Sequence, residues 1–231
     1  MKLIKEFASK FETVYVVEEL DPFMEEQIKA EGVKCIGKEL IPPMYELNPD
    51  IVAKALLNKE NETKKVDAKV VGRPPVLCPG CPHRGFFYTM SKKKNTVVTS
   101  DIGCYTLGGS PPLNAVDTCI CMGAGFSAGM GMAKAFEASG RDNKVFGVVG
   151  DSTFFHSGIT GAIDIVYNKG KMVPVVLDNR ITGMTGHQEN PGTGKTLMGE
   201  DAVQIDPVEV LRAIGYKTVK TVDPCDLKAM D

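Results

Sequence analysis

Short, almost wholly apolar runs alternate with longer stretches of helical period along this chain. The runs at 96–100, 144–149 and 172–178 read Thr-Val-Val-Thr-Ser, Lys-Val-Phe-Gly-Val-Val and Met-Val-Pro-Val-Val-Leu-Asp. They are too short for buried helices and rich in β-branched residues, so they predict strands covered on both faces. Residues 216–222 predict a further strand. Between these runs, apolar positions recur at three- and four-residue spacing over 84–92, 124–139, 156–168 and 207–214, which predicts helices. Strands alternating with helices argue a three-layer α/β/α fold around a parallel sheet, with ligands gathered at the carboxyl ends of the strands. Upstream, 14–20 and 33–37 read as short strands and 22–31 and 51–59 as helices. Asp21-Pro22 and Asn48-Pro49-Asp50 supply the caps and first turns of those helices.

This pattern divides the chain. Residues 1–60 form a small βαβα piece, expected to be the C-terminal part of a larger α/β domain because so short a segment is marginal alone. Residues 61–72 are polar and charged and lead into Pro74-Pro75, which predicts a linker. Residues 73–231 form the second α/β unit, and Pro224 onward reads as the opening of a further helix, so the chain end is expected to be a truncation. Within this unit, 179–205 is rich in glycine, proline and asparagine with little periodicity, and a loop that long in a compact domain points to function.

The composition is that of an ordinary globular protein, 43% apolar and 24% charged with a net charge of −2. No basic excess points to nucleic acid as a partner. No apolar run reaches the roughly 18 residues of a membrane helix, and the N-terminus has no signal-peptide core. Seven cysteines without a small disulfide scaffold predict a reducing cytoplasm.

Two strand ends carry the candidate chemistry. Gly150-Asp151-Ser152-Thr153 follows the strand at 144–149, and Asp178-Asn179-Arg180-Ile181-Thr182-Gly183 follows the strand at 172–178. One helix lies between them, so a parallel sheet brings Asp151 and Asn179 to one edge. A carboxylate, an amide oxygen and a nearby backbone carbonyl are hard ligands that suit Mg²⁺ held against a diphosphate. Helix N–H groups near 152–154 would add phosphate donors. Asp151 taken by itself also reads as a helix cap.

Cys78-Pro-Gly-Cys81-Pro-His83-Arg84 is a second local motif. With Cys104 and Cys225 it could hold an iron–sulfur cluster, and with His83 zinc; as a Pro/Gly-rich turn it could simply pack its thiols beside a cofactor. His83 and Arg84 open a helix at the same sheet edge and could hold phosphate. His156 and His187, at helix start and loop, are candidate acids, bases or substrate contacts. The small residues at 123, 125, 128, 129 and 131 allow close helix packing, and Gly123-x-Gly125 lacks the third glycine of a dinucleotide fingerprint. Gly192-Thr-Gly-Lys-Thr196 imitates a P-loop ending, but Glu189 stands where the first glycine belongs.

Several stretches together resemble the alpha subunit of indolepyruvate:ferredoxin oxidoreductase, among the 2-oxoacid:ferredoxin oxidoreductases. They are Arg73 to Gly85, Ser100-Asp-Ile-Gly-Cys-Tyr-Thr-Leu-Gly108, Ala115 to Gly123, Gly150-Asp-Ser-Thr-Phe-Phe-His-Ser-Gly158, Asp178 through Gln188, and Asn190 to Asp201. The likeness is dense from 73 to about 224 and weaker from 14 to 57. It implies a six-stranded thiamine-diphosphate fold for 73–231, preceded by the end of a transketolase C-terminal-like domain. Asp151 and Asn179 would ligate Mg²⁺ by side chain and Ile181 by its carbonyl, while Ser152 and Thr153 would donate to phosphate. Gly150, Thr182, Gly183, His83 and Cys104 would line the cofactor, and Cys78, Cys81 and Cys104 would be the cysteines of a [4Fe–4S] cluster if one is held. His187 and His156 are the catalytic candidates. The implied reaction is oxidative decarboxylation of an arylpyruvate to an aryl-acetyl-CoA. The implied partners are a beta subunit, ferredoxin and CoA, in a dimer of heterodimers. The family's pyrimidine-binding domain and ferredoxin-like segment are expected outside this chain, which would be inactive by itself.

Overall fold

The computed structural model describes residues 1–62 and 67–231; part of the expected linker, 63–66, lies outside the described residues. The chain divides into two compact units, Met1–Val71 and Gly72–Asp231.

In the first unit, α1 (Lys2–Ala8), α2 (Phe23–Ala30) and α3 (Pro49–Leu57) are joined by extended segments. Asn48 caps α3 by accepting a hydrogen bond from the Ile51 N–H at 2.9 Å. The expected strands at 14–20 and 33–37 reduce to one parallel bridge, Tyr15 to Ile36. Val16, Ile28 and Cys35 form its small buried cluster. So small a core supports little regular pairing, and Leu3, Phe23 and Tyr45 are largely exposed.

The second unit runs α4 (His83–Lys92), β1 (Thr96–Ser100), a 3₁₀ turn (Cys104–Gly109), β2 (Thr118–Cys119), α5 (Ala124–Ala138) and β3 (Lys144–Gly150). Then come α6 (Asp151–Thr153), a π-helical turn (Phe154–Gly158), α7 (Ile159–Tyr167), β4 (Val173–Leu177) and α8 (Pro207–Ile214). The strands pair in the order β2-β1-β3-β4, all parallel. The described residues thus form four strands where the resemblance implies six, and 216–222 joins no ladder. The helix expected to begin at 156 begins at Asp151, with α6, the π turn and α7 running on from one another.

Residue alternation along β3 and β4 builds the layers. Val148, Phe146, Val175 and Leu177 pack with Phe86, Phe87 and Met90 of α4 on one face. Val149 and Val176 pack with Phe126 and Met130 of α5, Ile165 of α7 and Leu211 of α8 on the other. A period of two in the strands therefore divides the apolar residues between two helical layers. On the second face α5 lies so close to β3 that a Cβ at Gly125 would stand 2.1 Å from the Val148 carbonyl oxygen. Gly129 is likewise closed in by the Thr99 hydroxyl, whereas nothing approaches Gly131. The small-residue stripe serves helix-on-sheet packing at those two buried positions.

Candidate cofactor site

Register fixes the site. Gly147 of β3 pairs with Thr99 of β1, and Gly150 of β3 pairs with Leu177 of β4. The residues that follow the strands, Asp101, Asp151 and Asp178, therefore come out at one sheet edge. Helix α6 starts with no intervening loop, so Asp151 is its first residue and Gly150 its cap. A Cβ at Gly150 would lie 2.7 Å from the Tyr105 ring, so only glycine lets β3 end against that ring.

Past β4 the chain makes two successive tight turns closed by side chains. Asp178 Oδ1 accepts from the Arg180 N–H at 3.0 Å and Asn179 Oδ1 from the Ile181 N–H at 3.2 Å, with Arg180 left-handed at φ +53°. These turns bring Asn179, Ile181, Thr182 and Gly183 to a cavity of about 130 Å³. Gly150, Asp151, Ser152 and Thr153 line it from the end of β3, and His83 and Cys104 from α4 and the 3₁₀ turn. Of the residues expected to contact cofactor or phosphate, all but Arg84 are gathered around one cavity, while the Arg84 guanidinium donates to the Leu77 and Cys78 carbonyls.

His156 and His187 are both exposed and do not line that cavity. His156 sits on the π turn. His187 stands at φ +63° at the end of a small loop closed by paired backbone bonds between Thr182 and Gln188.

Burial governs the electrostatics of this edge. Asp151 is 3% exposed. Burial pushes its carboxyl pKa up, and the Asp178 charge adds to the effect; the nearby Ser152 and Arg180 backbone and the hydrogen-bonded Asn190 amide oppose it. Among the described residues no lysine or arginine pairs with Asp151. A buried carboxylate with an anionic neighbour and no cationic partner is costly. A divalent ion held by Asp151, the Asn179 amide oxygen and the Ile181 carbonyl would satisfy it, and all three are hard oxygen donors. The residues fit magnesium.

The thiols fit a metal less well. Burial raises the Cys104 pKa, and nearby Cys81 and Cys78 raise it further. Among the described residues, however, no three His, Cys, Asp or Glu side chains group as a metal would require. Cys78 and Cys225 are exposed. Cys81 and Cys104 instead pack against the apolar cluster around Phe87 and Tyr105, so the structure gives the expected cluster on Cys78, Cys81 and Cys104 no ligand set. His83 is buried, which lowers its pKa and keeps its imidazole neutral.

Three residues that sequence reasoning left without a role complete the edge. Asp101 is fully buried and accepts from the Gly123 N–H at 2.6 Å and from the Tyr105 hydroxyl. The Tyr105 hydroxyl also lies 3.2 Å from Thr153 Oγ1. Asn190, 6% exposed, donates to Asp151 Oδ2 at 3.1 Å. For Asp101 the signal was present: it follows an apolar strand directly, as Asp151 does.

Comparison with known proteins decides the family. A model of the thiamine pyrophosphate enzymes, C-terminal TPP binding domain, matches residues 101–230. The chain belongs to this family. Over these residues its fold is accordingly that of a thiamine pyrophosphate (thiamine diphosphate) binding domain. Over 99% of its length the chain is 40% identical to the indolepyruvate oxidoreductase subunit IorA of Archaeoglobus fulgidus. It is 39% identical over 98% of its length to the IorA of Pyrococcus horikoshii. It spans only 39% of the length of each of these relatives. A solved 2-oxoglutarate:ferredoxin oxidoreductase from Magnetococcus marinus shares the fold, with a TM-score of 0.51 and 22% identity over 63% of this chain and 53% of that one. No helix among the described residues is long and apolar enough to cross a membrane.

Proposed function

We propose that this thiamine pyrophosphate domain is the magnesium- and diphosphate-binding part of a 2-oxoacid oxidoreductase, and that its substrate is an arylpyruvate such as indolepyruvate. The convergence of Asp151, Asn179, Ile181, Ser152 and Thr153 on one cavity supports the first part. Identity of about 40% to subunits named for indolepyruvate supports the second. In this reading Asp151, Asn179 and Ile181 hold Mg²⁺, and the first N–H groups of α6 with the Ser152 and Thr153 hydroxyls receive phosphate oxygens. His83, neutral and buried, and Cys104 bound the cavity on its other side. The cofactor supplies the electron sink that decarboxylation of a 2-oxoacid requires. His187 and His156, exposed outside the cavity, are candidates for proton transfer or substrate contact in the assembled enzyme. The name of the relatives as a subunit supports a partner subunit, and the fold shared with a 2-oxoglutarate:ferredoxin oxidoreductase supports ferredoxin as acceptor, with CoA taking the acyl product.

The reading is tested by calorimetry of thiamine diphosphate binding to the native protein with and without Mg²⁺, beside Asp151→Ala. Binding that needs Mg²⁺ and is lost in the variant is expected; metal-independent binding, or full retention in the variant, would overturn the site. A panel of 2-oxoacids with the assembled enzyme tests the substrate, and a preference for pyruvate would overturn the aryl assignment.

A further inference from the structure

Resting on the reading of Asp151 as a magnesium ligand, we infer that Asn190 is a positioning residue that orients the Asp151 carboxylate and ties the long loop after β4 to the metal site. Asn190 is a buried side chain in a segment that is mostly exposed. Its amide is used at both ends. Nδ2 donates to Asp151 Oδ2 at 3.1 Å, and Oδ1 accepts from the Gly192 N–H at 2.8 Å. The second bond fixes the amide's orientation: with Oδ1 committed to Gly192, the N–H₂ end must face the carboxylate. Asp151 is thereby held by its Oδ2.

The same residue anchors the loop. Its carbonyl accepts from the Thr193 N–H at 3.0 Å and from the Thr193 hydroxyl at 2.8 Å. Beyond it, the Ile205 N–H donates to the Pro191 carbonyl at 2.9 Å, and Gln204 Nε2 to the Gly192 carbonyl at 2.9 Å. These bonds close 191–205 into a loop whose base is Asn190 and whose far part, with Leu197, Met198 and Val203, is exposed. The segment carrying His187 enters Asn190 from the other side. One amide thus joins a metal ligand, a protruding loop and a histidine-bearing turn. Outer partners of metal-ligating carboxylates act in this manner, and their loss typically weakens metal affinity by about 10–100-fold.

The test uses the native protein and separates metal from cofactor. The Mg²⁺ concentration that supports half-maximal thiamine diphosphate binding is measured for the wild type, Asn190→Ala and Gln204→Ala, followed by the cofactor dissociation constant at saturating Mg²⁺. For Asn190→Ala the Mg²⁺ requirement is expected to rise about 10-fold or more, with the cofactor constant recovered at saturating metal. Gln204→Ala loosens the loop without touching Asp151 and is expected to leave the Mg²⁺ requirement within about 2-fold of wild type, well below the 10-fold of an outer-shell loss. An unchanged Mg²⁺ requirement in Asn190→Ala would overturn the inference. So would a cofactor constant that stays weak at every metal concentration, which is the mark of a merely structural loss. Should Asn190→Ala fail to fold, Asn190→Ser keeps a polar group there and is read by the same two constants. If the wild type itself binds no cofactor in Mg²⁺, the reading of the site fails, an outcome distinct from a failure of Asn190's role.

Discussion

Tyr105→Phe removes one oxygen from the best-buried polar contact of the cofactor edge and leaves everything else in place. The ring stays wedged where Cβ atoms at Gly103 and Gly150 would strike it, so no cavity opens. What is lost is the hydroxyl donor to Asp101, a carboxylate with no exposure to solvent, together with the 3.2 Å contact to Thr153 Oγ1. The Gly123 N–H remains as donor at 2.6 Å. A hydrogen bond to a charged group contributes about 1.5–3 kcal/mol and one to a neutral group about 0.5–1.5 kcal/mol. The penalty should therefore depend on whether Asp101 is ionised. Burial raises its pKa above the ordinary 3.8, while the bond from Tyr105 acts to lower it. Because the folded pKa is raised, the stability linked to this group is fully present in acid, below 3.8, and is lost as pH climbs through the folded value. Deleting the hydroxyl raises the folded pKa further and widens that window. Destabilisation of about 1 kcal/mol in acid should thus grow to about 2 kcal/mol at neutral pH. With a urea slope of about 2 kcal/mol/M, the midpoint would fall by roughly 0.5 M in acid and 1 M at neutrality. The chain has no tryptophan, so unfolding is best followed by far-ultraviolet circular dichroism. A penalty that is flat with pH, or one that shrinks towards neutrality, would refute the assignment of this bond to an ionised Asp101.

Other substitutions test the frame around the site. Gly125→Ala places a Cβ 2.1 Å from a backbone oxygen of β3, which no rotamer can relieve. Overpacking commonly costs about 1–3 kcal/mol, and this change is expected at or beyond the upper end, read as a lowered urea midpoint or loss of soluble protein. Asp206→Ala deletes the cap of α8, whose side chain accepts from the Val208 N–H at 2.8 Å; a loss of about 1 kcal/mol is expected in the same assay. Chelation of divalent metal by EDTA should release thiamine diphosphate from the native protein, and added Mg²⁺ should restore binding in the calorimeter.

Legibility from sequence followed how local each determinant was. β1 was readable to the residue and β3 and β4 nearly so, because their apolar runs are covered on both faces and bounded by polar strand ends. Helix α8 was readable because Asp206-Pro207 starts it and Gly215, at φ +118°, stops it. The beginning of the helix after β3 was misplaced, since Asp151 looks like a cap and is in fact the first helical residue. Residues 216–222 are rich in β-branched residues, as strands are, but find no ladder among the described residues, and pairing is not a local property. The gathering of residues at one sheet edge was legible where one polar residue follows one strand, as at Asp151 and Asn179. It was not legible at Asn190, whose part depends on a loop folding back to a residue 39 positions earlier in the chain.

That contrast says how such an edge is assembled. Parallel register alone brings the three strand-end aspartates together, and this juxtaposition of anions is unfavourable until each is answered. Asp101 is answered from within, by Tyr105 and the N–H groups that open α5. Asp178 turns on itself to bind the Arg180 N–H and remains partly exposed to water. Asp151 is answered only in part, by the Asn190 amide, and its burial pushes its pKa up with no cationic partner among the described residues. Of three chemically equal residues, the fold thus neutralises or solvates two and leaves the third facing the cavity. On the proposed reading a divalent cation would answer this carboxylate, which is why Asp151, rather than Asp101 or Asp178, is the residue whose removal should abolish metal-dependent binding.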